Sequence, residues 1–551
     1  MGVLDGSEFI ETSGSRLAND GVAGAKKHIE TLVNAGGGCL FVDESYQLSS
    51  GNSYGGAAVL DFLLAEIENQ VGKIVFTFAG YNKQMEKFFE HNPGLTSRMP
   101  YQLQFADYKD SELLEMLARR IHKTFGGKMK VEGGRGGLYA RIAVRRLGRG
   151  RSREGFGNAR ALENVLARIL ERQADRLQRE RAAGTRPDDF LFKKEDLIGP
   201  EPSKAIVQSA AWKELQGLIG LKAVKESMQG LLDRIHTNYQ RELKEKEIIE
   251  VSLNRALLGS PGTGKTSVGK LYGQVLADMG LLSNGEVVVK NPADFVGSVL
   301  GESEKNTKAI LKATEGKTLI IDEFYMLYSG AAGQSAASDP FKSAVIDTIV
   351  AEVQSTLGED RCVLLLGYQE QMEEMFRNTN PGLARRFALD DAFHFEDFDD
   401  DQLRKIMELK LKKQGLDATE EAKDVAISIL GRSRQRLNFG NAGEVENMIS
   451  HAKAFHQSRE SKMPISARSS DVVFEPQDFD ANFDRSSKAS INCRELFKDV
   501  LGCEDIVGKL EGFLKTSSNM KARGIDPREH IPFNFIFKGP PGKRYYHTIM
   551  Q

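Results

Sequence analysis

Cysteine is scarce in this chain: Cys39, Cys362, Cys493 and Cys503 among 551 residues, with no C-x-x-C pair. Scattered thiols build neither a disulfide framework nor a zinc site, so the pattern reads as a reducing compartment and no structural metal. Cys39 and Cys362 sit in apolar runs, the ordinary place for a small buried thiol. No apolar run approaches the roughly 20 residues that a membrane-spanning helix needs. The first residues show no charged-then-apolar leader. A surplus of charge is missing too, since 75 Lys and Arg stand against 77 Asp and Glu. That balance gives no global field for nucleic acid or an anionic lipid surface. There is no H-E-x-x-H, so no zinc protease is built in. Together the absences point to an intracellular, cytoplasmic protein with no membrane association, long enough for roughly three or four domains.

What is present centres on one stretch. Ala256-Leu257-Leu258 runs into Gly259-Ser260-Pro261-Gly262-Thr263-Gly264-Lys265-Thr266-Ser267. The spacing G-x-x-x-x-G-K-[ST] after an apolar run is that of a phosphate-binding P-loop. Glycines let successive backbone N–H groups face one phosphate, and Gly264 leaves room for close approach. The helix beginning near Thr266 points its positive end at the same anion. Lys265 is expected to reach the β- and γ-phosphates of ATP, and the Thr266 hydroxyl to ligate Mg²⁺. Farther on, Asp322-Glu323 closes the apolar run Leu319-Ile320-Ile321. A carboxylate pair at the end of a buried strand suits phosphoryl transfer, with Asp322 on the metal and Glu323 positioning and deprotonating the attacking water.

The chain also resembles itself. Leu40-Phe41-Val42-Asp43-Glu44 recurs as Leu319-Ile320-Ile321-Asp322-Glu323, and Gly80-Tyr81 as Gly367-Tyr368. Asn92-Pro93-Gly94-Leu95 with Arg98 recurs as Asn380-Pro381-Gly382-Leu383 with Arg386, and Phe156-Gly157-Asn158-Ala159 as Phe439-Gly440-Asn441-Ala442. The order is kept and the offset stays between 279 and 288 positions, which marks repeated modules. The expected organisation is a partial module over 1–185 with no P-loop before Asp43, a linker over 186–204, and a complete module over 205–490. The complete module divides into a core to about 395 and a helical lid over 396–490. Residues 491–551 look like the truncated start of a third copy. Alternating strands and helices predict an α/β fold, a parallel sheet flanked by helices.

P-loop, acidic pair, Asn-Pro-Gly-Leu…Arg and the Phe-Gly-Asn-Ala segment together resemble the AAA+ ATPases, most of all the group of the sporulation stage V protein K and the red-type rubisco activases. The resemblance implies tandem P-loop NTPase modules, each with a small helical lid. It implies that Arg386 (or its neighbour Arg385) is an arginine finger acting on an adjacent subunit's γ-phosphate, so that hydrolysis depends on a homo-oligomeric ring. It places a water-orienting residue near Gln369. It makes Phe295-Val296-Gly297 a pore loop gripping a client polypeptide, weighed against an ordinary core phenylalanine. The lid arginine that contacts nucleotide is present as Arg160 in the first module, but Gly443 occupies that position in the second. The expected function is ATP hydrolysis coupled to remodelling of protein complexes, with Glu323, Lys265 and Arg386 catalytic. The alternative is a nucleotide-gated scaffold that binds ATP and hydrolyses little. The run Arg135, Arg141, Arg145, Arg146, Arg149, Arg151 and Arg153 offers clustered cations with few aromatics, and reads as a solvated lid surface rather than a nucleic-acid footprint.

Overall fold

The computed structural model describes residues 4–484 except 5, 50–54, 92, 152–155, 331–338, 355–358, 435, 437–438, 463 and 465–470, together with 497, 504–523 and 530–532. The third copy expected over 491–551 thus lies outside the described residues apart from 497, 504–523 and 530–532, which include the helix Glu504–Ala522, and Arg153, Cys493 and Cys503 lie outside them too. Of the thiols that are described, Cys362 is buried as expected, whereas Cys39 is only half-buried. Among the described residues no helix is long and apolar enough to cross a membrane.

The chain divides into two compact units, Met1–Tyr108 and Lys109–Gln551. The first holds a parallel sheet of β1 (Glu8–Ser13), β2 (Gly38–Asp43) and β3 (Ile74–Phe78) in that order. Helices α1 (Gly14–Asn34) and α2 (Gly56–Asn69) pack on it through Leu17, Ile29, Leu32, Val59 and Leu63.

The second unit begins with the helices α3 (Asp110–Thr124), α4 (Leu138–Gly148) and α5 (Ala159–Ala182), the helical part expected to close the first module. A long helix, α6 (Lys222–Leu243), leads into a five-stranded parallel sheet. Its strands are β4 (Arg255–Gly259), β5 (Val287–Lys290), β6 (Thr318–Ile321), β7 (Cys362–Gly367) and β8 (Phe393–Phe395), in the spatial order β8-β4-β7-β6-β5. Every residue of β4, β6 and β7 is buried. That is why they read as unbroken apolar runs: a parallel strand is covered on both faces. Leu257, Ile320 and Leu364 enter one core with α6 and α7 (Lys265–Asp278), while Ala256, Leu258, Leu319 and Val363 enter the other with α9 (Pro340–Glu352). Helix α8 (Glu302–Ala313) leads back into β6, α10 (Gln369–Asn378) and α11 (Pro381–Arg386) follow β7, and the lid is built on α12 (Asp400–Lys413), α13 (Glu420–Ser433) and α14 (Ala442–Ser461). These have a core of their own around Leu403, Met407, Leu430 and Phe474. The first unit's β1-β2-β3 repeats the neighbour order of β5-β6-β7.

The arginine-rich run is not the solvated surface expected of it. Arg146 and Arg149 converge on the buried Glu242 of α6 at 2.6 and 2.7 Å, and Arg141 and Arg145 hold Glu245 at 3.1 and 3.4 Å. Arg151 pairs with Asp110. The run fastens α4 to the end of α6, so much of its charge is spent within the chain.

Candidate active site

Strand β4 delivers the glycine-rich turn and α7 leaves it. Gly262 and Gly264 have φ of 70° and 96°, a region that side-chain-bearing residues avoid. Gly262 is also held by space, because a Cβ there would lie 2.0 Å from the Gly440 carbonyl oxygen. Lys265 starts α7 almost wholly buried, and its Nζ donates to the carbonyls of Gly259 and Ser260 at 2.7 and 2.9 Å. Burial pulls its pKa below the ordinary lysine value, with Glu323 and Asp322 opposing that trend. Thr263 is turned inward, its hydroxyl donating to the Ser260 carbonyl at 2.8 Å, and Ser267 is exposed.

The acidic pair arrives from the neighbouring part of the sheet. The Thr266 hydroxyl donates to Asp322 Oδ2 at 3.3 Å, although 56 positions separate them. Asp322 Oδ1 accepts the Glu323 backbone N–H at 3.0 Å. Glu323 itself sits at φ 52°, a left-handed conformation costly for a residue with a side chain. Its Oε2 is buried with no hydrogen-bond partner among the described residues. A hydroxyl and a carboxylate meeting beside a lysine, with an unsatisfied carboxylate oxygen close in sequence, fit an Mg²⁺-bound phosphate chain and a water: hard oxygen donors for the metal and a vacant acceptor for the water's proton.

Two tyrosines that the motifs did not single out belong to this site. Lys265 Nζ lies 5.3 Å from the centre of the Tyr368 ring, and Tyr368 lies 5.4 Å from Tyr325. Burial raises both phenol pKa values, as does the nearby Glu323 carboxylate. Gln369, expected to orient water, instead opens α10 exposed and donates to Glu373 at 2.9 Å. Tyr46 and Tyr81 form the corresponding pair in the first unit at 6.4 Å. The signal was therefore in the self-comparison, as Asp-Glu-x-Tyr and Gly-Tyr.

The lid reaches the P-loop through its Phe-Gly-Asn-Ala segment. Buried Asn441 donates its amide to the Pro261 carbonyl at 3.2 Å and to Asp397 at 2.8 Å, and its side-chain oxygen accepts the Phe398 N–H at 2.9 Å. The Ala442 N–H donates to the Gly262 carbonyl at 3.2 Å. At Gly443 an added Cβ would meet nothing within 4 Å. Arg160 is exposed at the start of α5.

Two other expected residues stand differently. Phe295 is fully buried in the core with Leu311, Leu319 and Phe324, so the core reading holds and the gripping one does not. The exposed apolar residues of that loop are Val299 and Leu300, at 62% and 87%. Arg386 is tied inside the chain, Nε donating to the Val353 carbonyl at 2.6 Å and Nη1 to the Gly382 carbonyl at 3.1 Å, while Arg385 is exposed.

Comparison with known proteins agrees with this geometry. The model of the ATPase family associated with various cellular activities (AAA) matches residues 256–388, and that of the AAA lid domain matches residues 140–207 and 399–489. The chain belongs to the AAA ATPases, with a P-loop NTPase α/β fold. Protein CbxX of Cupriavidus necator is 31% identical over 245 residues, 44% of this chain and 74% of the relative. Stage V sporulation protein K of Bacillus subtilis is 29% identical over 241 residues, 43% of this chain and 71% of the relative. The chloroplastic ribulose bisphosphate carboxylase/oxygenase activase of Cyanidioschyzon merolae is 28% identical over 236 residues, 43% of this chain and 78% of the relative. Within the AAA family the chain falls in the group that these proteins define.

Proposed function

We propose that this chain hydrolyses ATP in the module spanning 205–490 and uses the turnover to remodel protein complexes as a ring of identical subunits. The observation that carries the reading is the junction of Thr266 and Asp322 at 3.3 Å beside the unpartnered Glu323 Oε2. Backbone N–H groups of Gly262, Gly264 and Lys265 cradle the phosphates, and Lys265 neutralises their charge. Thr266 and Asp322 would hold Mg²⁺, which when bound would supply electrostatic stabilisation to the phosphates. Glu323 orients the attacking water and takes its proton, and Tyr368 fixes the lysine from above.

The finger belongs to the Arg385–Arg386 pair. Arg386 is anchored by the backbone of Val353 and Gly382, so it acts as finger only by leaving those carbonyls. Exposed Arg385 reaches outward without that cost. The grip on a client passes from Phe295 to Val299 and Leu300, whose exposed side chains offer sequence-tolerant apolar contact.

A second reading, the nucleotide-gated scaffold, is favoured by Gly443, which stands where the first module has Arg160. Glu323→Gln separates the two. ATP binding should persist in this variant while turnover falls at least a hundredfold, on the order expected for loss of a general base. Unchanged turnover in this variant would remove Glu323 from its role. Negligible turnover in the unsubstituted chain would favour the scaffold.

A further inference from the structure

The first lid and the ATPase core enclose a cavity of about 400 Å³ between α4, α5 and α6 and the turn that follows α7. Among the described residues no P-loop residue lines it. Its charged walls are Arg146, Arg149, Arg168 and Arg172, facing Glu242 and Asp360. Glu242 is taken by Arg146 and Arg149, and Asp360 by Arg168 at 3.0 Å. Asp196, the other carboxylate that attracts Arg172, is bonded to Arg176 at 2.9 Å. Arg172 is left over, its guanidinium half-buried beside Gly199 and Gly280, with no hydrogen bond or close ion pair among the described residues. Four guanidiniums against two carboxylates leave a surplus of two positive charges. Burial, with Arg146 and Arg168 nearby, draws the Arg172 pKa down to about 10, the response of a cation short of counter-charge. Phe156, Tyr239 and Pro200 supply an apolar wall.

A concave space that sets an apolar wall against convergent charges is what a small-molecule site needs, and this volume suits a compact ligand. A guanidinium fork matches phosphate oxygens in two-point contact. We propose that this cavity binds a small organic dianion of the phosphate monoester class, its phosphate on Arg172 and Arg168 and its apolar body against Phe156 and Tyr239. The site stands independently of the function proposed for the P-loop.

The test is calorimetric titration of the full chain with phenyl phosphate, in a Lys265→Ala background that removes the P-loop as a competing phosphate site. Saturable binding of one equivalent is expected, with none for phenol. Arg172→Gln is expected to weaken it at least tenfold while leaving the unliganded Tm unchanged or higher, since Arg172 bonds nothing that would be orphaned. Phe156→Ser is expected to weaken phenyl phosphate but not inorganic phosphate, which keeps the proposal testable should Arg172→Gln lower the Tm. No saturable binding, or binding indifferent to both substitutions, overturns the site. Equal affinity for inorganic phosphate overturns the organic part of the ligand.

Discussion

The side-chain amide of Asn441 donates to the carbonyl of Pro261 at 3.2 Å, joining the lid to the turn that would hold the phosphates. The same side chain satisfies Asp397 and the Phe398 N–H, so one buried amide ties P-loop, core exit and lid together.

Replacing Asn441 with Ala orphans the buried Phe398 N–H, at about 1–3 kcal/mol for a buried group left unpaired, whereas the freed oxygen of the exposed Asp397 turns to water. It also puts alanine at φ 46°. The expected outcome is a lower Tm and weaker ATP affinity, read by thermal unfolding and nucleotide titration. An unchanged Tm would mean that the latch is not held as described.

Gly443 lies at the start of α14 with open space about it. Gly443→Arg should fold normally and tighten nucleotide binding severalfold by restoring a cation from the lid. Affinity for ATP against ADP is the readout. No change in either would mean that this helix end does not face the phosphates.

Phe295→Ala should cost about 3–5 kcal/mol as a core truncation. Val299→Ser with Leu300→Ser should leave stability within about 0.5 kcal/mol, the usual range for exposed positions. Denaturant unfolding of both compares them directly. The opposite ranking would return the gripping role to Phe295.

Glu242 is buried between Arg146 and Arg149. Burial alone would raise its carboxyl pKa, but the two arginines outweigh it and hold the value below the ordinary range. A carboxylate depressed in the folded state contributes stability above its unfolded pKa, near 4.3, and loses it as pH falls through the folded value. The α4–α6 junction should therefore be insensitive to pH from neutrality to about 5 and weaken below about 4. Glu242→Gln should remove about 3 kcal/mol at neutral pH by leaving two guanidiniums without their partner, and should flatten that acid response. Stability measured against pH for both proteins checks it.

The P-loop and the Asp322–Glu323 pair were legible because phosphate chemistry dictates both residue type and spacing. The sheet was legible because strands buried on both faces must be apolar throughout. Phe295 was ambiguous for a physical reason: an aromatic before a glycine in a loop serves a core or a client equally well, and only the packing of Leu311 and Phe324 around it decides. The arginine run misled because its partners, Glu242 and Glu245, lie about a hundred positions away, and long-range pairing leaves no local trace. Tyr368 was displaced by Gln369 because a shift of one residue at a strand–helix junction changes which side chain faces the lysine.

The central claim, that a nucleotide-hydrolysing site is completed between subunits, is tested most directly by the ATPase rate per chain as protein concentration rises at saturating Mg·ATP. The specific rate should climb and then saturate, with Arg385→Ala and Arg386→Ala together abolishing the climb. A rate that is appreciable but flat across concentration would contradict the finger in trans, and a rate of zero at every concentration with ATP bound would contradict hydrolysis itself.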